Sequence, residues 1–327
     1  MSSFPLLELP FVAFKNVIYQ MDPVDVLIQT QHSKFFKSII TAHKCLRVPC
    51  LSFSLTVSKD RTTIELYFDR EFPDEKKLKD YGQDDPNRFE FIFYGRWRSN
   101  AEDYTKKFLE VLKPKGISLH FMDVDLADYC NHFMFYYVEK FSEIRLNQTK
   151  ASEKELKFFV ENIKTEVLYC SMSTVFLESV PLDLKAETVR IDNPSFLDFQ
   201  SILNMKCKRM SLEDPCKNLK ISDFVTLIRN WMEMGNLKDL EMFEMRIHGQ
   251  VDEEPYLDSD ELRKTVFQEA MEMKGAAKET SSKYLLALRR TDGKLATISI
   301  RSYFQFIVVQ DSGPFFDPSI FRNSIFN

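Results

Sequence analysis

The chain has 327 residues, 44% hydrophobic and 28% charged, an ordinary globular composition with room for two or three domains. Its net charge of −5, with Lys and Arg scattered rather than striped, argues against nucleic acid as a partner. No apolar run approaches the ~20 residues that span a bilayer, so no membrane segment is expected, and eight glycines leave little material for phosphate-cradling loops.

Thirty phenylalanines predict bulky core layers. The six cysteines lack paired spacing and read as reduced, mostly buried thiols. Glu8, Lys15 and two prolines interrupt what a secretory signal would need, so a cytoplasmic or nuclear location is expected.

Residues 4–40 predict three short amphipathic helices. Leu9-Pro10 suits a helix start, because proline in the first turn loses no intrahelical hydrogen bond. Asp22-Pro23 is a second start, with Asp22 as N-cap and Met21 before it as a hydrophobic staple. Val17, Ile18 and Met21 form one apolar stripe, and Val24, Leu27 and Ile28 another. A unit of about forty residues is near the lower size limit for independent folding. Its apolar face therefore belongs either against a partner or in the core of an ordinary helical N-terminus.

The period then switches to 2. Leu51, Phe53, Leu55 and Val57 alternate with polar residues, and Ile64, Leu66 and Phe68 follow the turn at 58–61, which predicts a hairpin. Phe89 to Tyr94 is a third strand of this meander, beyond a polar loop spanning 69–88. From about residue 101, short strands alternate with helical stripes. The strand cores are Leu119-x-Phe121, Ile144-x-Leu146, Leu168-x-Cys170, Val189-x-Ile191, Met210-x-Leu212 and Leu240-x-Met242.

Helical stripes run through Leu156, Phe159, Val160 and Ile163, through Phe196, Phe199 and Leu203, and through Phe224, Leu227, Ile228 and Trp231. This period predicts an α+β chain with an irregular leucine-rich-repeat-like α/β solenoid, or else a general α/β layer sheet. In both, neighbouring strands pair in parallel. A C-terminal hairpin turns at Asp292-Gly293, with Leu286 and Leu288 on one strand and Leu295, Thr297 and Ser299 on the other. Phe304, Phe306 and Val308 add a third strand, and this β unit is expected to cap the solenoid. The expected division is 1–46, 47–100 and 101–327.

Two sets of motifs carry a family resemblance. Leu9-Pro10, Met21-Asp22-Pro23 and Ser33-Lys34, in that order over residues 3–43, resemble an F-box. This is the segment by which substrate receptors dock on the Skp-family adaptor of cullin ubiquitin ligases. Trp231-Met232-Glu233-Met234-Gly235-Asn236-Leu237, with Leu240-Glu241 and the later Asp-Gly hairpin, resembles the type 2 F-box-associated domain of a nematode-expanded class.

The resemblance implies a non-catalytic substrate receptor of a Skp–cullin–F-box ligase, bound to the adaptor and through it to a cullin, with an unidentified protein target. Expected adaptor contacts are Leu6, Leu7, Leu9, Pro10, Val17, Ile18, Met21, Pro23 and Leu27. The alternative is a repeat-type interaction module whose N-terminal helices only cap the solenoid. Capping would bury Leu6, Leu7, Val17, Ile18 and Met21 within the chain, whereas docking would leave much of that stripe exposed.

Motifs for chemistry are missing. None of the five histidines lies in a His-Glu-x-x-His run, and His43-x-Cys45-x4-Cys50 lacks a fourth ligand, so no metal or other cofactor is expected. Cys130 and His132, two apart, do not make a nucleophilic pair on a helix. Asp123 and Asp125 read as caps for a helix near Leu126. In the repeat strands the residue between two core positions faces the other side of the sheet. These middle residues are His120, Arg145, Tyr169, Arg190, Ser211 and Glu241. Arg145, Tyr169 and Arg190 are expected to anchor an acidic target segment, or else to pair with neighbours such as Glu143 and Asp192.

Overall fold

A computed structural model describes residues 6–43, 50–68, 88–94, 98–173, 182, 185–214, 219–247, 257–273, 279–282 and 285–309. The architecture is mixed α/β with an open sheet. The chain divides into two compact units, Met1–Phe176 and Leu177–Asn327. Residues 1–46, 47–100 and the first part of 101–327 thus share one unit.

The first unit opens with α1 (Phe11–Gln20), α2 (Pro23–His32) and α3 (Lys34–His43). The first two begin where the sequence places a start, and the third begins at a serine cap. Pro10 precedes α1 and its carbonyl accepts from Phe14 N at 2.9 Å. Asp22 accepts from Val24 N at 2.8 Å before Pro23. Ser33 Oγ accepts from Phe36 N at 3.1 Å. Phe14, Ile18, Val26, Phe36 and Ile40 are buried together, with Leu6, Leu9, Met21 and Ile39 half-buried around them.

Strands β1 (Cys50–Ser58), β2 (Arg61–Phe68) and β3 (Arg88–Tyr94) form the expected antiparallel meander, with Leu55 opposite Ile64. The polar loop at 69–87 lies outside the described residues. Helix α4 (Arg98–Leu112) covers one face of β2 and β3, setting Phe108 on Phe91 at 5.1 Å and Tyr104 on Phe93 at 5.4 Å. Its last turn brings Val111 onto the core of α1–α3, and Lys37 pairs with Glu110.

The meander is not separate from the repeat strands. β1 pairs in parallel with β4 (Gly116–Met122), followed by β5 (Phe141–Thr149) and β6 (Thr165–Met172). Leu55, Leu119, Ile144 and Leu168 make one buried row. Periodicity could not show this, because β1 lies more than sixty residues before its parallel neighbour and the link is made only by backbone pairing. Asp125 accepts from Ala127 N at 3.0 Å and caps a 3-10 turn, as expected. A short helix, α5 (Met134–Tyr137), follows. Helix α6 (Glu153–Asn162) starts with a Ser152/Glu155 capping box and sets Phe159 edge-on to Phe121 at 5.5 Å.

The second unit holds β7 (Thr188–Ile191), α7 (Phe199–Asn204), β8 (Arg209–Leu212), α8 (Ile221–Met232) and β9 (Met242–Arg246), with β7, β8 and β9 parallel. Met210 faces Phe243 and Leu212 faces Met245, so the last core is Phe243-x-Met245 rather than Leu240-x-Met242. Leu240 is still buried, but in the turn before the strand, where a single apolar residue looks the same as a strand position in the sequence.

Helix α9 (Ser259–Glu272) packs on α8. β10 (Glu279–Ser282), β11 (Leu285–Arg289), β12 (Leu295–Ile300) and β13 (Tyr303–Val309) follow, and β13 pairs antiparallel with β9. The core face of β12 is Ala296, Ile298 and Ile300, one residue out of phase with the Leu295, Thr297 and Ser299 stripe. Pairing of Leu286 with Ile298 and Leu288 with Ala296 decides that phase.

Candidate interaction surfaces

The nine residues expected to meet the adaptor divide. Ile18 and Leu27 are fully buried within the chain, and Leu6, Leu9, Val17 and Met21 are half-buried. Pro10 is exposed. The side chains of Leu7 and Pro23 lie outside the described residues. A different apolar set stands in solvent: Phe11 at 44%, Val12 at 71%, Ile28 at 37% and Phe35 at 60% exposure. Sequence periodicity marks the apolar residues of a short helix but not which of two apolar faces the neighbouring helices claim. The one legible signal was excess, since α1 and α3 carry more large apolar residues than one core face holds.

On the sheet of the first unit, the residues between core positions share the face opposite Leu119 and Ile144. His120, Arg145 and Tyr169 stand opposite one another on adjacent strands. Arg145 Nε donates to Glu143, and the guanidinium lies 5.9 Å from the Tyr169 ring. His120 Nδ1 is 3.4 Å from Thr56 Oγ1 and 3.5 Å from Ser54 Oγ, while Nε2 is buried with no hydrogen-bond partner among the described residues. Burial lowers the His120 pKa, opposed by Glu143 and assisted by Arg145, so the ring is neutral.

Arg190 belongs to the second unit, where Nη2 is 3.2 Å from Glu213 and Nε is 3.9 Å from Asp192. Ser211 is buried and donates to Glu213 at 3.3 Å. Glu241 does not occupy the ladder. It pairs with Arg209 at 3.2 Å, while Glu244 takes the ladder position and accepts from Gln305 Nε2 at 2.9 Å. Both expected cationic anchors therefore have acidic neighbours already. Exposed pairs of this kind are worth about 0–1 kcal/mol, so a target carboxylate must displace a neighbour rather than meet a bare charge.

The candidates for chemistry are structural. His132 lies among Phe121, Tyr129, Phe133 and Phe135, accepts from Met134 N at 3.4 Å, and is lowered by burial to about 4. Burial pushes the Cys50 and Cys207 thiols up to about 12, so neither is a nucleophile at neutral pH. Cys45 and the His43 side chain lie outside the described residues, as does Cys216. No cluster of three His, Cys, Asp or Glu suits a metal among the described residues, and none of their helices is long and apolar enough to cross a membrane.

The segment after α8 is held by several local hydrogen bonds. Gly235 N donates to Asn230 O at 2.8 Å, which makes a helix-ending turn with Met234 left-handed at φ 55°. A side chain in that region costs about 1–2 kcal/mol. Asn230 Oδ1 accepts from Leu237 N at 2.9 Å, and a Cβ on Gly235 would lie 2.7 Å from that oxygen. Met234 stands 51% exposed at the tip.

No family model, curated protein or solved structure matches the chain.

Proposed function

We propose that the protein is a substrate receptor of a Skp–cullin–F-box ubiquitin ligase, a non-catalytic subunit working in the cytoplasm or nucleus. The observation that carries this reading is the N-terminal helical segment. Its Leu9-Pro10, Met21-Asp22-Pro23 and Ser33-Lys34 motifs are the starts of three successive helices, and those helices fill their own core yet hold Phe11, Val12, Ile28 and Phe35 in solvent. Four large apolar side chains on forty residues favour a protein partner. The adaptor surface is accordingly assigned to these four and Pro10, with Ile18 and Leu27 as the support beneath. The repeat-like α/β part, including the Arg145–Tyr169 pair, is the target-binding region.

A second reading has its own support. Ile18 is buried, and Val111 of α4 packs on the same core, as a capping role for α1–α3 demands. Capture of the full chain by a purified Skp-family adaptor separates the two. The receptor reading expects a stoichiometric complex that Val12→Asp with Phe35→Asp abolishes while the melting temperature holds. No complex with the folded wild-type chain overturns it.

A further inference from the structure

Beside the left-handed turn, the second unit holds a cleft of about 450 Å³. This is the size of sites that admit a small ligand or a side chain with its neighbours. Its floor is Met205, Cys207 and Leu240, all buried, and the Cys207 thiol stays protonated, so the floor is apolar and uncharged. Its rim carries Met234 and two exposed lysines, Lys206 and Lys238. Among the lining residues two lysines stand against one acid, Asp239, on a chain of net charge −5.

The wall is rigid. Asn230 Oδ1 accepts from Leu237 N, and the buried Arg290 donates to the Lys238 carbonyl at 3.0 Å. Strain is retained where it is not forced: Met234 sits at positive φ although glycine is the residue that suits such a position. The exposed thioether is what that arrangement keeps at the mouth of the cleft, and Met adapts to varied apolar shapes.

We propose that this cleft receives one aliphatic side chain of an extended protein segment, and that Lys206 and Lys238 hold a carboxylate on the adjacent residue of that segment. The inference rests on the receptor reading and names the chemistry of the target: an aliphatic residue beside an acidic one.

The test uses the full chain with methyl-labelled methionine, titrated with the capped dipeptide acetyl-leucyl-glutamyl amide and with its leucyl-lysyl counterpart. The Met205 and Met234 methyl signals shift with the first, and binding of the second is roughly tenfold weaker. Lys206→Glu with Lys238→Glu reverses the preference. Met234→Gly keeps or raises the melting temperature, because it relieves the left-handed strain, yet weakens binding. The proposal is overturned if those methyls do not shift, if both dipeptides shift them equally, or if charge reversal leaves the preference intact. Adaptor capture is measured on the same samples. Its failure removes the receptor reading while the titration still decides whether the cleft binds, and a complex with the adaptor but no dipeptide response removes the cleft alone.

Discussion

Arg290 places its guanidinium 4.5 Å from the Trp231 ring while donating to the Trp231 carbonyl at 3.2 Å. The same group donates to Lys238 O at 3.0 Å and grips Asp292 through two bonds, at 3.0 and 2.8 Å. The two C-terminal motifs noted in the sequence, the Trp231–Leu240 segment and the Asp-Gly turn, are thereby one constellation. A single buried cation, 3% exposed, bonds one carbonyl in the last turn of α8 and one in the turn that follows, and fixes the hairpin turn to both.

Arg290→Ala is expected to destabilise the second unit by about 3 kcal/mol, since the Lys238 and Trp231 carbonyls and the Asp292 carboxylate each lose a charged donor, although Met234 N and Lys294 N still serve the last two. Arg290→Lys should recover little, because an ammonium cannot make the fork to Asp292 and stack on the indole at once. Thermal melts of the three proteins check the order. A lysine variant equal to wild type would contradict it.

Asp292 gives this lock a pH signature. The Arg290 hydrogen bonds hold its carboxyl at about 2, below the ordinary 3.8. A depressed carboxylate contributes stability that is complete above pH 4 and lost as pH falls from about 4 to 2. Asp292→Asn should flatten that part of the stability profile in acid titrations followed by circular dichroism.

His132 works in the opposite range. Burial among aromatic rings lowers it from 6.5 to about 4, with Glu102 opposing. The unfolded chain then binds more protons between those values, so stability falls as pH drops from 6.5 to 4, by about 3 kcal/mol. His132→Phe should remove the loss. Denaturant midpoints at pH 7 and pH 5 measure it, and an unchanged slope in the variant would refute the assignment.

Ile18→Asp and Val12→Asp separate folding from docking on one helix. Ile18 is 2% exposed and Val12 71%. An unpaired charge at 18 should cost about 3 kcal/mol or more and melt α1–α3, whereas the charge at 12 should stay within about 0.5 kcal/mol. Residues 44–327 alone should still fold, at a cost of about 1–3 kcal/mol from baring Val111 and its surroundings. A molten fragment would favour the capping role.

Gly235→Ala and Asn230→Ala should each cost about 1 kcal/mol, since each loses the bond between Asn230 and Leu237 N. The double variant should cost little more than either single one, because both remove the same interaction. Additive losses in a double-mutant cycle would show that the Gly235 contact matters for another reason.

Sequence by itself determined the local events: the helix starts at Pro10 and Asp22-Pro23, the cap at Asp125, the strand cores from 119 to 212, and the Asp-Gly hairpin. Each depends on residues within about four positions of one another, through capping bonds, fixed backbone angles or alternation. Tertiary structure alone decided what depends on distant backbone. It paired β1 with β4, moved the last core to Phe243 and Met245, and set Ile298 rather than Thr297 on the face shared with Leu286. It also turned Ile18 and Leu27 inward and left Phe11, Val12, Ile28 and Phe35 outside. An apolar residue carries the same hydrophobicity in either place, and only the neighbour that covers it settles whether it is core or surface.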